Sequence, residues 1–141
     1  MQTNQESNKI WKKSLSHAIK IAQADISQPA QSYLADMLDK NMLNVQFNET
    51  PTSTEWLQER INHKKTHTVG DKCLIIVGLF PHIAQNTTSI DFYITMGKEA
   101  YTYAAKSTST NDTEKQIFNE LSKKFISISQ TLALIKQPPH R

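Results

Sequence analysis

Residues 69–82 read VGDKCLIIVGLFPH, and this stretch decides the fold. Its centre is an unbroken apolar run, which a buried strand and a buried helix produce equally well. Asp71 occupies the position of a helix N-cap after a glycine turn, and Pro81 lies where a helix of about nine residues should end. The sequence offers no second strong strand, and a lone strand leaves its backbone groups unpaired. We therefore predict a buried helix over 71–80.

A second helix, over 91–104, is predicted to pack against the first one. Its apolar and small residues recur at intervals of one and three, which places them on one face. The chain has only three glycines, and all of them lie in these two segments, which predicts tight turns or close backbone contact. The predicted buried stripe consists of Tyr93, Met96, Gly97, Ala100, Tyr101 and Ala104.

The amino-terminal part predicts two helices joined by a short connection. The first is expected from Lys9, with residues 1–8 as a flexible tail, and the second runs to about Met42. Ser27 is a suitable N-cap for the second helix, and Pro29 suits its first turn. In the first helix, an apolar arc of Trp11, Leu15, Ala18, Ile19 and Ala22 lies opposite a polar, mostly basic stripe of Lys9, Lys13, Ser16 and Lys20.

The remaining segments complete an all-helical pattern. A capping box beginning at Thr52 opens another helix, which carries Trp56, Leu57 and Ile61 and which Gly70 should end. A polar loop is expected over 83–89, one long helix over 113–135 with a heptad-like apolar seam, and a flexible tail over 137–141. The whole chain is thus predicted to be a compact single-domain all-α bundle of five or six helices.

Composition narrows the class of protein. At 141 residues, the chain has the size of one domain. Sixteen basic residues against thirteen acidic ones give a net charge of +3, and the lysine pairs are scattered, so no strong nucleic-acid signal is present. The single cysteine fits a reducing compartment, and no signal core or membrane span is visible. The cytoplasm is the expected location, although export without a classical signal peptide stays open.

The glycine and aromatic spacing resembles that of a group of small, uncharacterised bacterial proteins. Their shared core reads Gly-Asp, an apolar run, Gly-x-Phe, and later Tyr-x-x-Met/Leu-Gly-x-x-Ala-Tyr. In this chain the matching positions are Gly70-Asp71, Gly78 with Phe80, Tyr93, Met96-Gly97 and Ala100-Tyr101. The resemblance covers about residues 69–135. It implies an all-helical domain and implies no activity.

Two combinations of residues suggest chemistry, and each has a simpler interpretation. His63 and His67 lie four apart, the spacing at which two helical imidazoles share a face and bind Zn²⁺, with Asp71 four further on. Surface histidines of no special role produce the same pattern, so no metal or other cofactor is expected. Cys73 and His82 suggest a nucleophile and its base, but Cys73 opens an apolar run and is expected to be a small buried residue.

The aromatic residues of the central segments suggest a ligand or partner pocket. Aromatic walls with a few polar groups are typical of small-molecule and peptide sites, whereas ordinary core packing explains the same residues without a ligand. The candidate pocket consists of Phe80, His82, Tyr93, Gly97 and Tyr101.

These observations lead to one preferred function and two alternatives. No catalytic constellation can be assembled, so we predict a non-enzymatic protein-binding or adaptor module, or a module that self-associates as a homodimer. The first alternative is a small-molecule- or metal-binding protein or an enzyme that uses the pocket between helices 71–80 and 91–104. The second alternative is a weak nucleic-acid binder.

Overall fold

The computed structural model describes residues 4–43, 66–87, 89–107 and 111–135. All regular secondary structure in these residues is helical, which confirms the all-α class. The number of helices differs from the prediction of five or six, because seven are present in the described residues alone. They are α1 (Asn4–Ala22), α2 (Gln28–Leu43), α3 (Thr66–Leu79), α4 (Pro81–Thr87), α5 (Ile90–Ala105), α6 (Asp112–Lys123) and α7 (Phe125–Ile135).

Helix α1 packs against α2 and α7 through the apolar arc that the sequence indicates. Leu15 and Ala18 are buried, and all four residues of the opposite polar stripe are exposed. Ala22 is the exception, since it is exposed near the end of the helix. The helix begins at Asn4, whereas the sequence predicted its start near Lys9.

The start of α2 is capped and tied to α6. Ser27 Oγ accepts a hydrogen bond from the backbone N–H of Ala30 at 3.3 Å, as predicted for a cap. Glu120 of α6 holds the same serine, accepting from the Ser27 backbone N–H at 2.8 Å and from its hydroxyl at 2.5 Å. A distant carboxylate therefore fixes the position of this helix end.

Helix α3 is longer than predicted, and two predictions about it are wrong. It begins at Thr66, so Gly70 does not end a preceding helix and Asp71 is not an N-cap. Asp71 lies inside the helix, and its carboxylate accepts hydrogen bonds from side chains of two other helices instead of capping α3. The helix ends at Leu79, as the position of Pro81 indicated.

The polar loop predicted over 83–89 is mostly a short helix instead. Pro81 is the first residue of α4, where its missing N–H breaks no helical hydrogen bond. The sequence prediction treated the proline only as the end of α3. Ser89 then caps α5, since its hydroxyl accepts from the backbone N–H of Phe92 at 3.1 Å.

Helices α3, α5 and α7 pack closely where the glycines lie. All six predicted stripe residues of α5 are buried. A methyl group on Gly97 would lie 2.5 Å from Phe125 Cε2 and 2.9 Å from Cys73 Cβ. A methyl group on Gly78 would lie 2.9 Å from Leu132 Cβ. None of the glycines has a positive φ, so they do not serve tight turns. They serve close contact between helices, which was the other prediction.

The single long helix predicted over 113–135 is divided at Lys124. This residue leaves the helical region, with φ −104° and ψ 20°. Its ammonium donates to the backbone carbonyl of Asp25 at 2.6 Å. This hydrogen bond ties the break between α6 and α7 to the segment that joins α1 and α2. Of the six residues of the predicted apolar seam, Phe118, Leu121, Phe125, Ile128 and Leu132 are buried and Ile135 is half-buried, so the seam stays inward.

Several sequence predictions lie outside the described residues. They are the capping box at Thr52, the helix with Trp56, Leu57 and Ile61, the metal candidate His63, and the tail over 137–141. In the part of the chain that is described, no helix has both the length and the apolar character needed to cross a membrane.

Candidate functional site

One buried carboxylate of the interior joins three helices. Asp71 of α3 accepts a hydrogen bond from the Tyr33 hydroxyl of α2, at 2.7 Å from Oδ1 and 2.9 Å from Oδ2. The Tyr101 hydroxyl of α5 donates to the same Oδ1 at 2.7 Å. We call these three residues the Tyr–Asp cluster.

Burial controls the proton affinity of the Tyr–Asp cluster. Asp71 is only 6% exposed, and burial raises the pKa of its carboxyl to about 7. Hydrogen bonds from Tyr101 and Tyr33, and the charge of Lys40, lower this pKa without cancelling the effect of burial. Burial and the neighbouring Asp71 charge raise the pKa of both tyrosines well above their ordinary value.

Aromatic rings enclose the Tyr–Asp cluster. Phe118 of α6 lies edge-on to Tyr33, with ring centroids 5.6 Å apart, and stacks on Tyr101 at 6.1 Å. The His67 ring stacks on Phe118 at 5.5 Å. A methyl group on Gly70 would lie 2.8 Å from Tyr101 Cδ1, so only a glycine lets α3 approach the tyrosine ring this closely.

The chemistry available to the Tyr–Asp cluster is proton binding. Among the described residues, the hydrogen bonds to Asp71 come from neutral hydroxyls, and none comes from a cation. The carboxyl is almost entirely removed from solvent. The cluster can therefore hold or release one proton inside the bundle.

The residues of the candidate aromatic pocket take part in several separate contacts. Gly97 and Tyr101 share the buried face of α5, and the Phe125 ring lies against Gly97. The Phe80 and His82 rings are paired with centroids 6.2 Å apart, and His82 is exposed. Tyr93 is buried and meets the edge of its neighbour Phe92 at 5.8 Å. Ligand binding by these residues stays a prediction.

The other chemical candidates are placed as follows. In the described residues, no group of three or more histidine, cysteine, aspartate or glutamate side chains is arranged to hold a metal ion. His67 and Asp71 lie on one continuous helix, but Asp71 is bound by the two tyrosines. Cys73 is fully buried, which confirms the interpretation of a small core residue, while His82 is exposed.

The outer surface of α1 has exposed apolar residues. Ile10 is 62% exposed and Ile21 is 58% exposed. They are separated by eleven positions, so at 100° per residue they lie about 20° apart around the helix axis. His17 lies on the same line and is exposed, and three lysines flank it. We define the α1 outer face as Ile10, His17 and Ile21 together with Lys9, Lys13 and Lys20.

A cleft lies between α1 and α2, on another side of α1. Its volume is about 390 Å³, within the range of small-ligand sites. The lining has one cationic group and several hydroxyl and amide groups: Lys12, Leu15, Ser16, Gln28, Pro29, Gln31 and Ser32.

Sequence reasoning found some of these residues and missed others. Tyr101 was selected as a pocket residue, and the lysines of α1 were recognised as a stripe. Tyr33 was not among the candidate site residues, and Asp71 was assigned to a cap. The available signal was one acidic residue next to a long apolar run, which is rare in a buried segment unless the acid has a partner.

Comparisons of the chain with protein-family models, curated proteins and solved structures give no match.

Proposed function

We propose that the protein is a non-enzymatic binding module that docks an acidic amphipathic helix of a partner protein on the α1 outer face. The observation that carries this proposal is the pair of exposed isoleucines, Ile10 and Ile21, aligned beside lysines.

Residue spacing supports a helical partner. Ile10, Ser14, His17 and Ile21 follow one another at intervals of four, three and four, which is the spacing of a coiled-coil seam. A partner helix that carries apolar residues with the same spacing would cover both isoleucines. Removing these side chains from water would supply the apolar part of the binding free energy.

Charge supports an acidic partner over a second copy of the chain. Helix α1 contains four lysines and one glutamate, so its net charge of +3 equals that of the entire protein. An acidic helix would be attracted to this face, and the attraction would accelerate association. Two copies that meet through α1 would bring like charges together, which opposes self-association there.

The proposal is tested with two labelled synthetic helices and fluorescence anisotropy. Both peptides carry leucine on the seam, and they differ only in having glutamate or lysine at the flanking positions. We expect the glutamate peptide to bind at least about tenfold more tightly than the lysine peptide, because its charge is opposite to that of the α1 lysines. A tenfold difference corresponds to about 1.4 kcal/mol of binding free energy. Binding should weaken as salt concentration rises.

Variants of exposed residues locate the binding surface. Ile10→Gln combined with Ile21→Gln should abolish binding while leaving the helical circular dichroism unchanged. Lys13→Glu with Lys20→Glu should weaken it, whereas Lys106→Glu with Lys123→Glu, which makes the same change of charge elsewhere, should not.

Two results would contradict the proposed function. One is equal binding of both peptides, or binding of neither. The other is a dimer in sedimentation equilibrium that dissociates in the isoleucine variant, because the face would then serve self-association. The second result would favour the other form of the preferred prediction, a module that self-associates as a homodimer.

A further inference from the structure

We propose that the Tyr–Asp cluster, where α2, α3 and α5 meet, is a pH-responsive switch: the folded bundle is most stable while Asp71 is protonated and becomes less stable when Asp71 ionises. This inference concerns the interior of the bundle and does not depend on the proposed binding face.

The geometry makes one carboxyl the meeting point of three helices. Tyr33 is 38 positions from Asp71 in the chain, and Tyr101 is 30 positions from it. Both hydroxyls reach the same oxygen, Oδ1, at 2.7 Å. A change at this single atom therefore acts on contacts between three elements at once.

Among the described residues, the charged groups around the Asp71 carboxyl make no hydrogen bond to it. The positive charge of Lys40 on α2 lowers the pKa of Asp71, and the negative charge of Glu114 on α6 raises the pKa of Tyr33. On α3, His67 lies across the Phe118 ring. Cys73, on the same helix, also raises the pKa of Tyr101 on α5. The nearest hydrogen-bond partners remain the two neutral hydroxyls.

The two protonation states have different free energies in the folded protein. The neutral acid loses little on burial, whereas the carboxylate loses its hydration and regains part of that free energy from the two hydroxyl donors. Burial is the larger effect, because the pKa of Asp71 is raised from 3.8 to about 7. The folded protein thus binds the proton more tightly than the unfolded chain does.

The sign of the pH effect follows from this difference. The contribution of Asp71 to stability is fully present below its unfolded pKa of 3.8 and is lost as pH rises through about 7. A carboxylate in an ion pair behaves in the opposite way, since it stabilises at high pH. The midpoint near neutrality gives the switch a working range in which both forms are populated.

The decisive experiment compares urea unfolding of the wild-type protein and Asp71→Asn between pH 4.5 and 8.5. Asparagine keeps an oxygen for both hydroxyls and cannot ionise. We expect the unfolding equilibrium constant of the wild type to increase, relative to that of Asp71→Asn, by up to about tenfold per pH unit below pH 7 and to level off above it. Comparing the two proteins removes the contribution of His67 and the other histidines.

Asp91→Asn is the matched control, because Asp91 is an exposed aspartate on α5. Its pH profile should follow that of the wild type. Equal pH profiles for the wild type and Asp71→Asn would overturn the proposal.

A second measurement on the wild-type protein keeps the proposal testable if Asp71→Asn does not fold. Carbon-13 NMR of labelled aspartate carboxyl carbons should show one titration with a midpoint near 7. Tyr33→Phe and Tyr101→Phe each remove a donor to the carboxylate, so each should move this midpoint to higher pH. A full set of aspartate midpoints near 4 would overturn the switch.

Discussion

Of the three glycines, Gly97 has the closest neighbours around its missing side chain. Its missing side chain leaves space that the Phe125 ring fills from α7, while Cys73 approaches from α3. Rings and backbone at this density cannot move apart without losing contacts in several directions. One hydrogen atom in place of a methyl group therefore sets the separation of three helices.

Gly97→Ala should destabilise the protein by about 1–3 kcal/mol, because overpacking outweighs the gain of about 1 kcal/mol in helix propensity. Urea unfolding measures the change. The double variant with Phe125→Leu should recover part of the loss, since the smaller side chain leaves room for the new methyl group. A Gly97→Ala protein as stable as the wild type would show that Phe125 moves at no cost.

At the scale of residues, local patterns were predictable and distant partners were not. The buried stripe of α5 depends on the spacing of its own residues, and all six of them are buried. Asp71 was assigned to a cap because the residue before it is a glycine. Its partners, Tyr33 and Tyr101, are dozens of positions away, and no local rule connects them to it.

Among the elements, the start of α2 and the end of α6 depend on each other. Burial raises the pKa of Glu120, but hydrogen bonds from Ser27 and Lys124 outweigh that effect and lower it. Glu120 therefore contributes stability above its unfolded pKa of 4.5, and this contribution is lost as pH falls through the lower folded value. The pH range differs from that of Asp71, and the direction is opposite.

Glu120→Gln should cost about 1 kcal/mol or more at pH 7, because hydrogen bonds to a charged acceptor are stronger than those to an amide. At pH 3 the cost should be smaller, since the wild-type carboxyl is then increasingly protonated. Ser27→Ala should cost about 1 kcal/mol through loss of the cap. Glu99→Gln, at an exposed position of α5, is the control and should have little effect at either pH.

The errors in element boundaries have two different physical origins. The division at Lys124 occurs in the sequence SKKF, which contains neither glycine nor proline, so it follows from tertiary contacts such as the bond to Asp25. At Pro81 the reverse happened, because a residue that ends one helix also suits the first turn of another. The apolar seam, by contrast, survived the division and was predictable.

The whole molecule separates its two proposed properties in space. The charge and the exposed isoleucines belong to α1 on the surface, and the titrating carboxyl belongs to α3 in the interior. Variants of one feature can therefore be tested while the other is left intact. The residues that carry each proposal come from different helices and do not overlap.

The buried position of Cys73 has a practical consequence. It is the only thiol in the chain, it is inaccessible to solvent, and it lies where α3 meets Gly97. A thiol reagent can reach it only after these helices separate, so its labelling rate reports the fraction of molecules whose core is open. At a fixed pH, Gly97→Ala should be labelled about tenfold faster than the wild type if it loses 1.4 kcal/mol. An equal labelling rate would mean that the cysteine becomes accessible without separation at Gly97. The chain thus contains its own reporter of rare opening events, without any engineered probe.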